Sequence, residues 1–127
     1  MADVTTVTNA GLAITTNRVK GSGTEPKYVA WGTGTTAPSV TQTALITAAA
    51  EASTDGTSTQ ETTTTTSDTY QVVGTIVCTG SAKAITEVGL FDASTDGNMF
   101  MRGTFSAINV SVGDGVQFTI KTVYDQA

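Results

Sequence analysis

Along most of this chain apolar and polar residues alternate with a period of two. Val116, Phe118 and Ile120 take turns with Gln117, Thr119 and Lys121, which lays one face of an extended strand on a core and the other in water. Residues 70–78 repeat the pattern with Tyr70, Val72, Ile76 and Cys78 on one side. Val73 and Val77 make the opposite side partly apolar, so this strand is expected to be covered on both faces. Residues 85–91 and 99–105 are two more extended runs, and the Asp96-Gly97 pair between them is hairpin-turn chemistry. Upstream, residues 12–16 and 27–31 read as short strands separated by the flexible Gly21-Ser22-Gly23.

Two segments depart from the alternation. In residues 39–52, Ser39 or Thr41 can cap and Ala44, Leu45, Ala48, Ala49 and Ala50 are good helix formers after Pro38, which predicts one short helix near residues 40–51. Residues 57–66 are polar and rich in threonine, which suits a pleated surface but offers no apolar face. They fit a solvated edge strand, a loop or an arm. The elements together predict an all-β chain, an antiparallel β-sandwich or jelly-roll-like barrel of about 7–8 short strands. Residues 9–127 form a single β domain in this reading, with residues 1–8 a candidate N-terminal arm. The length agrees, because 127 residues support one core and not two.

Composition narrows the chemistry. Only 13% of residues are charged, 28 of the 127 are threonine, there is no histidine, and Cys78 is the lone cysteine. Most metal sites, disulfide scaffolds and histidine-based catalysis are thereby removed, so neither a cofactor, a metal nor an enzymatic activity is expected. A net charge of -5 with six dispersed basic residues would repel a phosphate backbone, which argues against nucleic acid as a partner. No apolar run suits a membrane span or a leader, and an acid at Asp3 replaces the expected basic start, so a cytoplasmically made protein without a membrane role is expected.

Local motifs have simpler explanations than the chemistry they imitate. Gly32-Thr33-Gly34-Thr35-Thr36-Ala37 matches a relaxed dinucleotide fingerprint, but Pro38 interrupts the entry to the following segment and no strand-helix-strand unit follows. Asp92-Ala93-Ser94-Thr95-Asp96-Gly97 copies half of a calcium loop, yet Gly103 stands where a bidentate glutamate belongs. Glu87 differs from the other carboxylates because it lies inside a strand, where burial would demand a partner; Arg102 is the candidate for a buried, fold-fixing polar pair. Tyr28, Trp31, Met99, Phe100 and Met101 are candidate interface residues, with a second core layer as the competing reading.

Three stretches carry a resemblance to a known family. Lys27-Tyr28-Val29-Ala30-Trp31-Gly32-Thr33-Gly34-Thr35-Thr36-Ala37-Pro38, then Thr41-Gln42-Thr43-Ala44-Leu45, and above all Ile85-Thr86-Glu87-Val88-Gly89-Leu90-Phe91-Asp92-Ala93 followed by Met101-Arg102-Gly103-Thr104-Phe105, resemble small virion structural proteins of tailed bacteriophages. The resemblance implies a non-enzymatic capsid cement or decoration protein on the capsid surface of the virion. The major capsid protein would be its partner, and it would act as a homo-oligomer, a dimer or a trimer. Similar domains in tail fibre, collar and baseplate components leave that position as an alternative. A small-ligand binding protein is the reading that the glycine-rich loop alone would suggest.

Overall fold

Period-two segments become strands wherever they have a face to bury. The computed structural model describes residues 4–126. Its elements in chain order are β1 (Val4–Val7), α1 (Asn9–Lys20), β2 (Tyr28–Gly32), β3 (Thr54–Asp55), β4 (Thr57–Glu61), β5 (Thr69–Val77), β6 (Lys83–Phe91), β7 (Met99–Val110) and β8 (Gly115–Val123). Two antiparallel sheets face each other, one ordered β1-β7-β6-β2-β3 and the other β4-β5-β8. The fold is thus an all-β sandwich, as the alternation predicts. Val29, Trp31, Val88, Leu90 and Met101 of the larger sheet share one buried cluster with Val72, Ile76 and Ile120 of the smaller. Phe118 and Phe105 close it, their ring centroids 5.9 Å apart.

The hairpin expected at the Asp-Gly pair joins β6 and β7. Asp92 donates its N–H to the Asn98 carbonyl at 3.2 Å, and the Asp92 carboxylate accepts the Asn98 N–H at 2.7 Å. Its oxygens therefore organise the turn. Residues 57–66 resolve into the edge strand β4 and a loop, in which the Asp68 carboxylate accepts the N–H groups of Thr63, Thr64 and Thr65 at 2.8–3.0 Å. Those donors hold the Asp68 carboxyl well below the usual carboxylate range.

Three expectations need correction. Residues 12–16 are helical, within α1: the Thr8 side chain accepts the Gly11 N–H at the start, Gly21 closes the end at φ 96°, and Arg18 and Lys20 lie in the last turn. Paired caps outweigh a short alternating run, and the buried positions Gly11 and Ile14 follow helical spacing. Conversely, residues 39–52 form no helix. The Ala49 N–H bonds the Trp31 carbonyl and the Thr47 carbonyl accepts from Thr33, so backbone groups a helix would have used are taken by β2 and its exit. Finally, residues 4–7 of the candidate arm are strand β1, paired on β7 from Val4 opposite Thr104 to Val7 opposite Met101. Thr8 is fully buried, donating its hydroxyl to the Met99 carbonyl. Residues 1–3 of that arm lie outside the described residues.

Candidate functional site: a carboxylate hub and an open sheet flank

Glu87 on β6 and Arg102 on β7 sit diagonally on one face of the larger sheet, with Arg102 directly opposite Gly89 and Glu87 opposite Thr104. Both side chains are completely buried and joined by an Arg102 Nε to Glu87 Oε1 hydrogen bond of 2.8 Å. The same carboxylate accepts three backbone N–H groups: Ile46 at 2.9 Å on Oε1, and Gly34 and Thr47 at 2.8 Å each on Oε2. Arg102 Nη1 donates to the Thr36 carbonyl at 2.7 Å and to Gln42 Oε1 at 3.2 Å. Thr86 adds a hydroxyl bond of 2.8 Å to the Gly34 carbonyl. One ion pair thus nails the long irregular connection between β2 and β3 onto the sheet. Burial alone would raise the Glu87 carboxyl, but the Thr47, Ile46 and Gly34 amides and the Arg102 guanidinium together hold it below the ordinary range.

The glycine loop acquires a different meaning here. A Cβ on Gly34 would lie 2.5 Å from Glu87 Oε2 and 2.6 Å from the Ile46 Cβ, so glycine is required for its amide to reach the carboxylate. Phosphate-binding loops cradle an anion by the same close backbone approach. In this chain the cradled anion is internal.

A second staple holds the other end of that connection. Glu51 accepts the Trp31 Nε1–H at 2.9 Å and the Thr79 N–H at 2.8 Å, and pairs with Lys83. Burial opposes its charge, yet the Lys83, Thr79 and Trp31 donors bring its pKa from the ordinary 4.5 to about 2. Lys83 is raised in turn, mainly through the same Glu51 contact. Sequence reading missed Glu51 because its donors come from β2, β6 and the turn between β5 and β6, none of them near it in the chain. Both glutamates titrate lower folded than unfolded, so each stabilises the fold above the ordinary carboxylate range and loses that contribution as pH falls. The urea midpoint is therefore expected to stay level between pH 7 and about 5 and to fall steeply from about 4.5 towards 2. Glu51→Gln should flatten part of that fall, and an unchanged profile would show that Glu51 gains nothing from its partners.

Of the candidate interface residues, Trp31, Met99, Phe100 and Met101 are core residues, at most 5% exposed, and Tyr28 is half-buried. Phe100 is the extra residue of a register shift, Leu90 pairing with Met101 and Phe91 with Met99, so strict alternation fails there: the neighbours Phe100 and Met101 both join the main cluster, and Met99 is buried outside it. The second core layer is the correct account.

The accessible apolar surface lies elsewhere. On the side where β1 and β8 are the last strands of their sheets, the two layers gape into a cleft of about 350 Å³ lined by Thr6, Val88, Met101, Phe105, Phe118 and Ile120. Val123 on β8 lines it and is exposed, and Val4 on β1 and Ile108 on β7 are exposed on the same strands. A second cavity of about 400 Å³ lies beneath α1 among Ile14, Pro26, Tyr70, Phe100 and Tyr124, with Arg18 and Glu25 at its edge. The Tyr70 hydroxyl that lines it is already used, donating to the Pro26 carbonyl at 2.8 Å, while Thr15 and Tyr124 bring two more hydroxyls to its wall. Burial and the Glu25 carboxylate push that phenol well above its ordinary range.

No helix among the described residues is long and apolar enough to cross a membrane. Comparison with known protein families, curated proteins and solved structures returns no match for this chain.

Proposed function

We propose that this chain is a structural virion component of a tailed bacteriophage, a cement or decoration protein that binds the outside of the assembled capsid and bridges major capsid protein subunits. The observation that carries the reading is the convergence of its family-like stretches. Gly34 and Thr36 from the first, Gln42 from the second, and Glu87 and Arg102 from the third all meet in one hydrogen-bonded hub. Residues far apart in the chain therefore cohere as parts of one structural device, which supports a resemblance of fold rather than a chance likeness of short motifs. The hub joins three separate segments of the chain and serves rigidity, although Arg102 Nη2 is buried in it without a hydrogen-bond partner. The features left for function are surfaces: the gaping flank with its unpaired strand edges and exposed valines. A rigid body with association surface suits cementing, where many weak contacts on one shell add through multivalency and binding only the assembled state stabilises it by mass action.

A tail fibre, collar or baseplate component is the second reading. The two differ in stoichiometry. Quantitative mass spectrometry of purified particles is expected to find this chain in copy numbers comparable to the major shell protein, whereas a handful of copies per particle would favour the fibre reading. Absence from the particle would overturn both. The cavity beneath α1 favours a small-ligand role less, because its Tyr70 hydroxyl is satisfied from within.

A further inference from the structure

We propose that β8 is a self-pairing edge: two copies of this chain join antiparallel along Gly115–Val123, with Thr119 opposite its own counterpart, merging two three-stranded sheets into one of six. The inference stands apart from the virion reading and needs only the fold.

Four free edges compete for this role. β3 has two residues and contains Asp55, β1 has four residues, and β4 has five and ends on Glu61. β8 has nine residues, and its ladder with β5 runs from Val77 opposite Gly115 to Thr69 opposite Val123 without a shift. Solvent-facing edges are ordinarily blunted by proline, bulges, charge or shortness. β8 has no proline, no bulge and one charged side chain, Lys121.

Charge selects a second copy as the occupant. The chain carries 11 acids against six bases, so two copies repel except where acids are missing. The strands framing this flank, β1, β7 and β8, contain no aspartate or glutamate at all. Two negative molecules can meet along this flank without opposing carboxylates from these strands.

The pleat then fixes the register. Directly opposed residues of an antiparallel pair lie on the same face, so a two-fold pairing must centre on a residue, and centring on Thr119 opposes all nine positions. Phe118 then faces Ile120 of the other copy on the cleft side, extending the aromatic and aliphatic row. On the outer side Lys121 faces Gln117, not another lysine, and Val123 faces Gly115. Asp114 and Asp125 fall beyond the overlap.

Sedimentation equilibrium of the full chain is expected to show a concentration-dependent species of twice 12.9 kDa. Gln117 is exposed and outward, so its charge can be changed without disturbing the core. Gln117→Lys places two lysines opposite each other at both symmetric contacts and should weaken the dimer roughly tenfold. Gln117→Glu should tighten it several-fold, and Gln117→Lys combined with Lys121→Glu should restore it. Hydrogen exchange of the unmodified protein should show protection of residues 115–123 that rises with concentration. A monomer at all concentrations, a trimer, a dimer indifferent to charge at 117, or β8 protection independent of concentration would each overturn the proposal.

Discussion

Replacing Glu87 with glutamine is expected to cost about 3–5 kcal/mol of folding stability, the range for breaking a buried ion pair from one side. In a domain of this size that lowers the Tm by roughly 10–15 °C. The reason is geometric. Oε1 accepts from Ile46 and Arg102, Oε2 from Gly34 and Thr47. Whichever oxygen becomes the amide nitrogen confronts two donors, and neither orientation of the glutamine satisfies the site. Arg102→Met should cost less, because the carboxylate keeps its three amide donors when the guanidinium is gone. An isolated buried pair can often be exchanged for two apolar side chains at little cost. Here the double replacement of Glu87 and Arg102 by methionine should stay strongly destabilised, since the Gly34, Ile46 and Thr47 amides would be orphaned at about 1–3 kcal/mol each. Calorimetry of Glu87→Met, Arg102→Met and the double closes the cycle. Recovery of the wild-type Tm in the double variant would show that the amides find other partners and that the carboxylate is not the anchor of the connection.

That anchor marks the limit of what could be read from residues alone. Glu87 stood out because a carboxylate inside an apolar strand must be buried or misplaced, and Arg102 is the nearest base on the expected partner strand; alternation and pairing sufficed. The strands β2, β5, β6, β7 and β8 were legible for the same reason, each having a face whose burial the pattern demands. Residues 39–52 were misread because their alanines carry genuine helix propensity, while the amides of Ile46 and Thr47 are committed to a carboxylate some 40 positions later in the chain. Local preference cannot register a long-range acceptor. α1 was misread in the opposite direction: Thr8 and Gly21 are good caps, but a short alternating stretch beside a glycine-rich turn looks like an edge strand until the helix docks. The candidate interface failed for a related reason, since a single register shift at Phe100 places the neighbours Phe100 and Met101 in one cluster where strict alternation would have separated them.

The largest effect on how the two sheets hold together is expected at Trp31. Its indole is 1% exposed, stands edge-on to Phe118 at 6.4 Å with an interplanar angle of 88°, and donates Nε1–H to Glu51. It thus joins the larger sheet, the smaller sheet and the second carboxylate staple in one side chain. Trp31→Ala should cost about 3–5 kcal/mol through the cavity it leaves between the sheets. Trp31→Phe keeps most of the contact and loses the Glu51 bond, so about 1–2 kcal/mol is expected. Stability is best followed by calorimetry or far-ultraviolet dichroism, because the substitution removes the chain's one tryptophan. The decisive measurement is local. Phe118 is the β8 side of the Trp31 contact, so amides of β8 should exchange faster in Trp31→Ala by a larger factor than those of β6, whose neighbours β2 and β7 remain paired to it. Uniform acceleration across both sheets would mean that the sandwich opens as one unit and that the flank between β1 and β8 is no weaker than the rest. Selective acceleration would identify that flank as the compliant side of the molecule, where the Phe105–Phe118 contact does not hold β8 once the indole is gone, and most in need of a partner strand.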